Sequence, residues 1–343
     1  MAGTFRFSFG PWNIHTGADS FGPPVRKPLA FAKKLEFYRE LGFGAVQFHD
    51  DDAVPGLDEL STLQAERKAK ETARLLKSSG LAAEFVAPRL WESPRTVDGA
   101  FTSNNPADRT YARERCRKAV EIANRLETDL IVLWLAREGT YIREAKDSKW
   151  AVERLVEGVN RILACDPKIR IAIEPKPNEP MDHAFIPTTG HAVALAGLTD
   201  DPARVGVNIE SAHAILAGLD PAEEMGFALA SRKLFTVHLN DQNGLKFDQD
   251  KSFGSVDLRR ALNQVWILDR SGYGKNGEWV GLDVKAMRTQ PAPAVKHLRN
   301  SREIFLRLLK VSRGLDESKI ASLVRERDYE ELDLYIMERL LGK

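Results

Sequence analysis

Ten residues from Ile171 to Pro180, Ile-Ala-Ile-Glu-Pro-Lys-Pro-Asn-Glu-Pro, hold the sharpest chemical signal in the chain. An apolar run from Ile169 to Ile173 delivers the carboxylate of Glu174 and, two residues on, the ammonium of Lys176. Side chains two apart on a strand share a face, so acid and base would enter one space. The prolines that follow cannot feed a sheet ladder, so the strand must stop there. A salt bridge at a strand end would read the same way. The pattern recurs, however. Other apolar runs lead to Trp12, to His49-Asp50-Asp51-Asp52, to Trp91, to Trp134, to Glu210 with His213, to His238 and Asn240, and to Asp283 and Lys285.

Glu174, Glu210, Asp248, Asp250 and Asp283, with His213 and His238, would concentrate more negative charge than a cavity tolerates unless cations neutralise it. Oxygen-rich sites favour Mg²⁺ or Mn²⁺, and each imidazole pulls the preference toward Mn²⁺, Co²⁺ or Zn²⁺. These candidate ligands suit two ions sharing one bridging carboxylate. Glu210 is the best bridge, because His213 follows three residues later on the same turn. Asp248 and Asp250, two apart in a polar loop, could chelate one ion, although acidic loops are commonly just solvated. His49 with Asp52 reads as an imidazole whose tautomer a carboxylate fixes for acid–base or hydrogen-bonding work. Trp12, Trp91 and Trp134 are either core or an apolar wall that excludes water and stacks on the C–H face of a sugar.

The elements that must position these groups are legible as eight apolar runs: Phe5 to Gly10, Gly44 to His49, Ala82 to Ala87, Asp129 to Trp134, Ile169 to Glu174, Arg204 to Glu210, Leu234 to Asn240 and Trp279 to Val284. Most are continuously apolar, the pattern of parallel strands covered on both faces. Helical patterns separate them, among them Pro28 to Leu41, Ala65 to Ser79, Pro106 to Arg125, Lys149 to Cys165 and Val256 to Ser271. Eight alternations predict a closed (β/α)₈ TIM barrel, whose functional residues gather at the C-terminal ends of the strands. An open doubly wound sheet is disfavoured, because Phe9-Gly10-Pro11-Trp12 is no dinucleotide fingerprint. Helical patterns continue from Ala292 through Leu309, Glu317 to Val324 and Tyr329 to Leu341. The division expected is a catalytic barrel over residues 1–305 and a C-terminal helical extension over 306–343, packing on the barrel or on a neighbouring subunit.

With 343 residues, 43% of them apolar, the chain can bury a large core. Fifty Lys and Arg against 49 Asp and Glu argue against a nucleic-acid surface. Cys116 and Cys165 offer no disulfide framework, which suits a reducing compartment. Met1 to Arg6 carries no apolar signal core and no apolar run reaches membrane-spanning length, so the expectation is a soluble cytoplasmic protein without a membrane partner.

With these residues in place, the chain resembles the xylose (glucose) isomerases, specifically the shorter class found in actinomycetes. The likeness runs from Phe5 to about Phe305 and resumes at Tyr329 to Lys343. It is carried by Val46 to Asp52, Ala172 to Pro180, Gly206-Val207-Asn208, Lys246 to Asp250 and Asp98 to Thr102. The resemblance implies a metal-dependent aldose–ketose isomerase, D-xylose to D-xylulose and D-glucose to D-fructose, using two divalent ions per subunit (Mg²⁺, Mn²⁺ or Co²⁺). It implies that His49, held by Asp52, binds the cyclic sugar and assists ring opening, and that Lys176 hydrogen-bonds the carbonyl oxygen. One ion would take Glu174, Glu210 and Asp283, and the other Glu210, His213, Asp248 and Asp250. Hydride would then shift between C1 and C2. Trp12, Trp91 (where the family usually has Phe) and Trp134 would wall the sugar. Phe21 matches a residue that the family lends across a subunit interface, so a homo-oligomer is implied.

One departure matters. Where the family has His at position 236 and Asp at 238, this chain has Thr236 and His238. Residues 236, 238 and 240 share a strand face, so His238 still points into the bowl and can ligate through nitrogen. The swap removes one negative charge, which predicts weaker Mg²⁺ binding and more discrimination for Mn²⁺, Co²⁺ or Zn²⁺ at the first ion. The extension is also shorter than the family's tetramer-building arm, leaving a dimer or a differently built tetramer. Rival readings are an isomerase or epimerase for another sugar, a catalytically silent sugar- or metal-binding protein, and a zinc-dependent DNA-repair nuclease, the last set back by the balanced charge.

Overall fold

Every apolar run expected to form a strand does so in the computed structural model, which describes residues 5–343. Met1 to Thr4, part of the N-terminal stretch read above for a signal core, lie outside the described residues. The strands are β1 (Phe7–Phe9), β2 (Ala45–His49), β3 (Ala82–Ala87), β4 (Leu130–Trp134), β5 (Arg170–Glu174), β6 (Val205–Glu210), β7 (Leu234–Leu239) and β8 (Val280–Leu282). Each pairs in parallel with its neighbours in sequence, and β8 returns to β1, closing an eight-stranded barrel. The expected (β/α)₈ architecture is therefore the one observed.

Helices cover the barrel: α1 (Phe31–Glu40), α2 (Thr62–Ser79), α3 (Pro106–Arg125), α4 (Ser148–Leu163), α5 (Thr189–Gly197), α6 (Pro221–Ala230), α7 (Leu258–Ser271) and α8 (Lys296–Arg313). Their apolar stripes meet the outer strand faces. On α8, Phe305 is fully buried and meets Phe5 and Phe7 edge-on, with ring centroids 5.1 and 5.2 Å away. Helices α5 and α6 were not among the helical patterns read from sequence. Their short segments are rich in Ala and Gly and carry little polar contrast, so capping rather than periodicity marks their starts. The side chain of Asp220 accepts the backbone N–H of Ala222 at 2.8 Å and so caps α6.

The barrel interior is more polar than continuous apolar runs suggest. Ser8, Gln47, Glu84, Asn208, Thr236 and His238 are all buried on strand segments. The Glu84 carboxylate accepts from Thr236 Oγ1 at 2.6 Å, from Gln47 Nε2 at 3.1 Å and from the Ser8 hydroxyl. Spread over four strands, this network satisfies a carboxylate that would otherwise be costly to bury.

Two further helices, α9 (Glu317–Glu326) and α10 (Tyr329–Leu340), follow α8. They turn Tyr335 and Ile336 inward, while Leu334 and Leu341 stay exposed. Asp333 pairs with Arg259 on α7, and Arg313 joins Asp269 on α7 at 2.7 Å, tying this end of the chain to the barrel's helical layer. Among the described residues, no helix is long and apolar enough to cross a membrane.

Candidate metal and sugar site

Strand register places the chemistry. Trp134 lies beside Glu174 across β4 and β5, and Glu210 beside His238 across β6 and β7. The β6–β7 register shifts between Val207 and Asn208, an irregularity just below the rim of the kind that re-aims side chains at barrel ends. Beyond Glu210 a short helix, Ser211–Leu216, folds His213 back over the strand end. The imidazole reaches three carboxylates: Nε2 is 3.3 Å from Glu210 and 3.2 Å from Asp248, and Nδ1 is 3.6 Å from Glu174. His238 Nδ1 lies 3.3 Å from Glu174 Oε2 and 3.8 Å from Glu210 Oε2. It stands within reach of the ligand cluster, as its strand face requires.

Three sets of donor atoms converge closely enough to hold a cation: Glu174, Glu210 and His213; Glu210, His238 and Asp283; and Glu210, Asp248 and Asp250, each within 4.8 Å. Glu210 belongs to all three. Buried His213 Nδ1, His238 Nε2 and Asp248 Oδ1 make no hydrogen bond. Burial, with the charges of Asp250, Asp248 and Glu174, pushes the Glu210 carboxyl well above its ordinary range. Burial and the neighbouring Asp248 push Asp250 up to about 7, against the pull of Lys285. Burial also opposes ionisation of Glu174, but the charge and hydrogen bond of His238 overcome it and lower the group to about 2. Orphaned donors and carboxylates driven toward protonation are what a site built for divalent cations shows without them, so the residues present fit such ions.

Polar neighbours hold this cluster. Asn208 Nδ2 donates to Glu174 Oε2 at 2.6 Å, and Asn240 Nδ2 to Glu210 Oε1 at 2.9 Å, while Asn240 Oδ1 accepts the backbone N–H of Ala212 at 2.7 Å. The sequence places Asn240 with His238 at a run's end and Asn208 within a motif without giving either a role, yet a signal for one exists: each lies two positions from a candidate ligand, Glu210 or His238, on the same strand face. Lys285 Nζ meets Asp250 at 2.6 Å. Lys176 is buried, with Nζ 2.8 Å from Asp248 and 3.1 Å from Glu179, and 5.3 Å from the Trp134 ring centroid. Its burial disfavours charge, but the Asp248 carboxylate outweighs that and holds the ammonium above its ordinary pKa.

The remaining residues form the opposite wall. Trp12 stacks on His49 with centroids 4.0 Å apart, and its Nε1 donates to Asp283 at 2.8 Å. Trp91 meets His49 edge-on at 5.1 Å and Trp134 at 4.6 Å. His49 Nδ1 is 3.1 Å from Asp52 Oδ2. Burial works against the Asp52 charge, while the backbone N–H of His49 and the guanidinium of Arg89 favour it. The middle acids of the His49–Asp52 run are structural. Asp50, fully buried, takes Arg115 Nη2 at 2.8 Å, and Asp51 takes Arg89 Nε at 2.7 Å.

The structure therefore brings together Trp12, His49, Asp52, Trp91, Trp134, Glu174, Lys176, Glu210, His213, His238, Asp248, Asp250 and Asp283. It leaves Phe21 outside this group: its side chain is 77% exposed, and its ring lies 5.3 Å from that of Phe247. Arg89 is a neighbour that the sequence reading did not single out, because nothing in the spacing of a loop arginine marks it.

A closed parallel barrel whose strand ends gather carboxylates and imidazoles that could hold a metal ion defines the class of the protein. Residues 35–304 match the family model described as xylose isomerase-like TIM barrel, and the chain belongs to that family. Solved structures share the fold at low identity. A D-tagatose 3-epimerase-like protein is 17% identical at a TM-score of 0.65, with 90% of this chain and 98% of that one covered. A 3-keto-D-glucoside 4-epimerase from E. coli is 12% identical at a TM-score of 0.62, covering 88% and 99%. A xylose isomerase domain protein from Alicyclobacillus acidocaldarius is 15% identical at 0.59, covering 91% and 100%.

Proposed function

We propose that this protein is a divalent-metal-dependent sugar isomerase that converts an aldose to its ketose, D-xylose to D-xylulose first and D-glucose to D-fructose second. The observation that carries the reading is the sharing of Glu210 by three donor sets directly beside the buried ammonium of Lys176. Glu174, Glu210, His238 and Asp283 would hold one ion, and Glu210, His213, Asp248 and Asp250 a second. Bound divalent ions would supply Lewis acidity and fix the sugar hydroxyls.

The chain's own residues do the rest. Trp12, Trp91 and Trp134 exclude water and offer apolar faces to sugar C–H groups. His49 meets a sugar oxygen, and Lys176 donates to the carbonyl oxygen, where negative charge grows as hydrogen moves. In the balanced reaction the C2 hydrogen passes with its electron pair to C1 while the O2 proton reaches O1. Exposed Phe21, Leu245, Phe247 and Met287, on the loops after β1, β7 and β8, support a homo-oligomer whose second copy covers the bowl.

A second reading, an epimerase for another sugar, is favoured by the nitrogen donor His238 among carboxylates and by the epimerases among the structural neighbours. The test is to strip the protein with chelator and assay D-xylose with Mg²⁺, Mn²⁺ or Co²⁺ added singly, in D₂O. D-xylulose that keeps the substrate hydrogen, formed faster with Mn²⁺ or Co²⁺ than with Mg²⁺, is the expected result, and His238→Asp should shift preference toward Mg²⁺. Absence of D-xylulose with every ion, together with inversion of a ketose carbon and deuterium uptake there, would replace this reading with the second.

A further inference from the structure

We infer that Arg89 is a positioning residue that decides which nitrogen of His49 carries the imidazole proton, fixing Nδ1 as an acceptor and leaving Nε2–H as the donor. The inference deepens the functional reading above and rests on it only in taking His49 as the residue that meets the sugar.

Arg89 is held from several sides. Its backbone N–H donates to Asp50 Oδ1 at 3.1 Å, its Nε to Asp51 Oδ1 at 2.7 Å and its Nη1 to Glu92 Oε1 at 3.0 Å. The remaining nitrogen, Nη2, lies 2.7 Å from His49 Nδ1 and 3.5 Å from Asp52 Oδ1. Asp52 Oδ2 approaches the same Nδ1 at 3.1 Å. A guanidinium only donates and a carboxylate only accepts, so one ring nitrogen cannot satisfy both. A proton on Nδ1 would set two N–H groups against each other at the shorter contact. A lone pair there accepts from Arg89, while Asp52 keeps the guanidinium and the backbone N–H of His49, 3.4 Å away, as partners.

The arginine is charged at any working pH, so the shorter contact wins. The stacked indole of Trp12 and the edge of Trp91 confine the ring. The proton then sits on Nε2, on the ring edge away from Asp52, which no protein group among the described residues bonds. His49 accordingly donates a hydrogen bond to a sugar oxygen instead of accepting a proton from a hydroxyl.

The test is a long-range ¹H–¹⁵N correlation spectrum of histidine-labelled, metal-free full-length protein, with the His49 signals assigned by their loss in His49→Asn. The expected result is Nε2 protonated in the wild type and the proton transferred to Nδ1 in Arg89→Met, while Asp52→Asn keeps it on Nε2. A purely structural arginine would change stability and leave the tautomer alone. A proton on Nδ1 in the wild type overturns the inference whether or not any variant folds, and so does Nε2–H surviving in folded Arg89→Met. No substrate or ion enters this measurement, so its failure is distinct from failure of the isomerase reading, which the D-xylose assay reads.

Discussion

Removing the ions from this site should cost measurable stability, and returning them should restore it through one residue. Five buried or half-buried carboxylates, Glu174, Glu210, Asp248, Asp250 and Asp283, face the ammoniums of Lys176 and Lys285 and two imidazoles. A ligand that binds only the folded state at a free concentration about 100 times its Kd adds roughly 2.7 kcal/mol. Unfolding entropy near the midpoint is about 2.1 cal/mol/K per residue, so a 343-residue chain has about 0.7 kcal/mol/K. One Mn²⁺ site should then raise Tm by about 4 °C and two sites by about 8 °C. The assay is a thermal melt of chelator-stripped protein titrated with MnCl₂, with MgCl₂ giving the smaller shift at equal concentration. Glu210 serves every donor set, so Glu210→Gln should abolish the Mn²⁺ shift. The same variant should melt above the stripped wild type, because burial and three neighbouring carboxylates already oppose the Glu210 charge. A Mn²⁺ shift that survives in Glu210→Gln, or a stripped variant less stable than the stripped wild type, would refute this reasoning.

Lys176→Met should lower kcat on D-xylose by about 10²- to 10³-fold, the cost of losing one preorganised donor to a developing oxyanion; steady-state kinetics read it, and an unchanged kcat would remove Lys176 from the chemistry. Arg115→Leu leaves Asp50 as an unpaired carboxylate with no exposed surface, so urea unfolding should show a loss of about 3–5 kcal/mol. The pH dependence has a histidine component outside the site. His297 is buried, its Nε2 donates to Asn13 O at 3.0 Å and its Nδ1 is unpartnered. Burial lowers its pKa to about 4, against the opposing hydrogen bond to Asn13. A histidine with a lowered folded pKa contributes full stability above its unfolded value of about 6.5 and loses it as pH falls toward about 4, a change of roughly 3 kcal/mol. His297→Gln should flatten that slope in denaturation midpoints measured between pH 7 and 4, and an unchanged slope would exclude His297 as its source.

What was legible in the sequence follows from how parallel strands are built. Strands covered on both faces must be apolar along their length, so all eight announced themselves, and the candidate ligands sat at or just past the ends of such runs, except Asp248 and Asp250 in the polar loop after the seventh. The His238 register was legible too, because a two-residue period leaves no choice of face once β7 is recognised. Helices α5 and α6 were hidden because small residues give no contrast between faces, and the polar barrel interior was hidden because Glu84 looks like an isolated acid until Gln47 and Thr236 reach it from other strands. Arg89 shows the deeper limit. The sequence paired His49 with Asp52 from spacing alone, and the structure keeps that pair at 3.1 Å. A loop brings in a guanidinium from 40 residues away, at a shorter distance and to the same nitrogen. Local spacing identifies the partners a residue can reach within its own element. It cannot show which competitor a neighbouring strand delivers, and here that competitor sets the hydrogen-bonding role of the histidine.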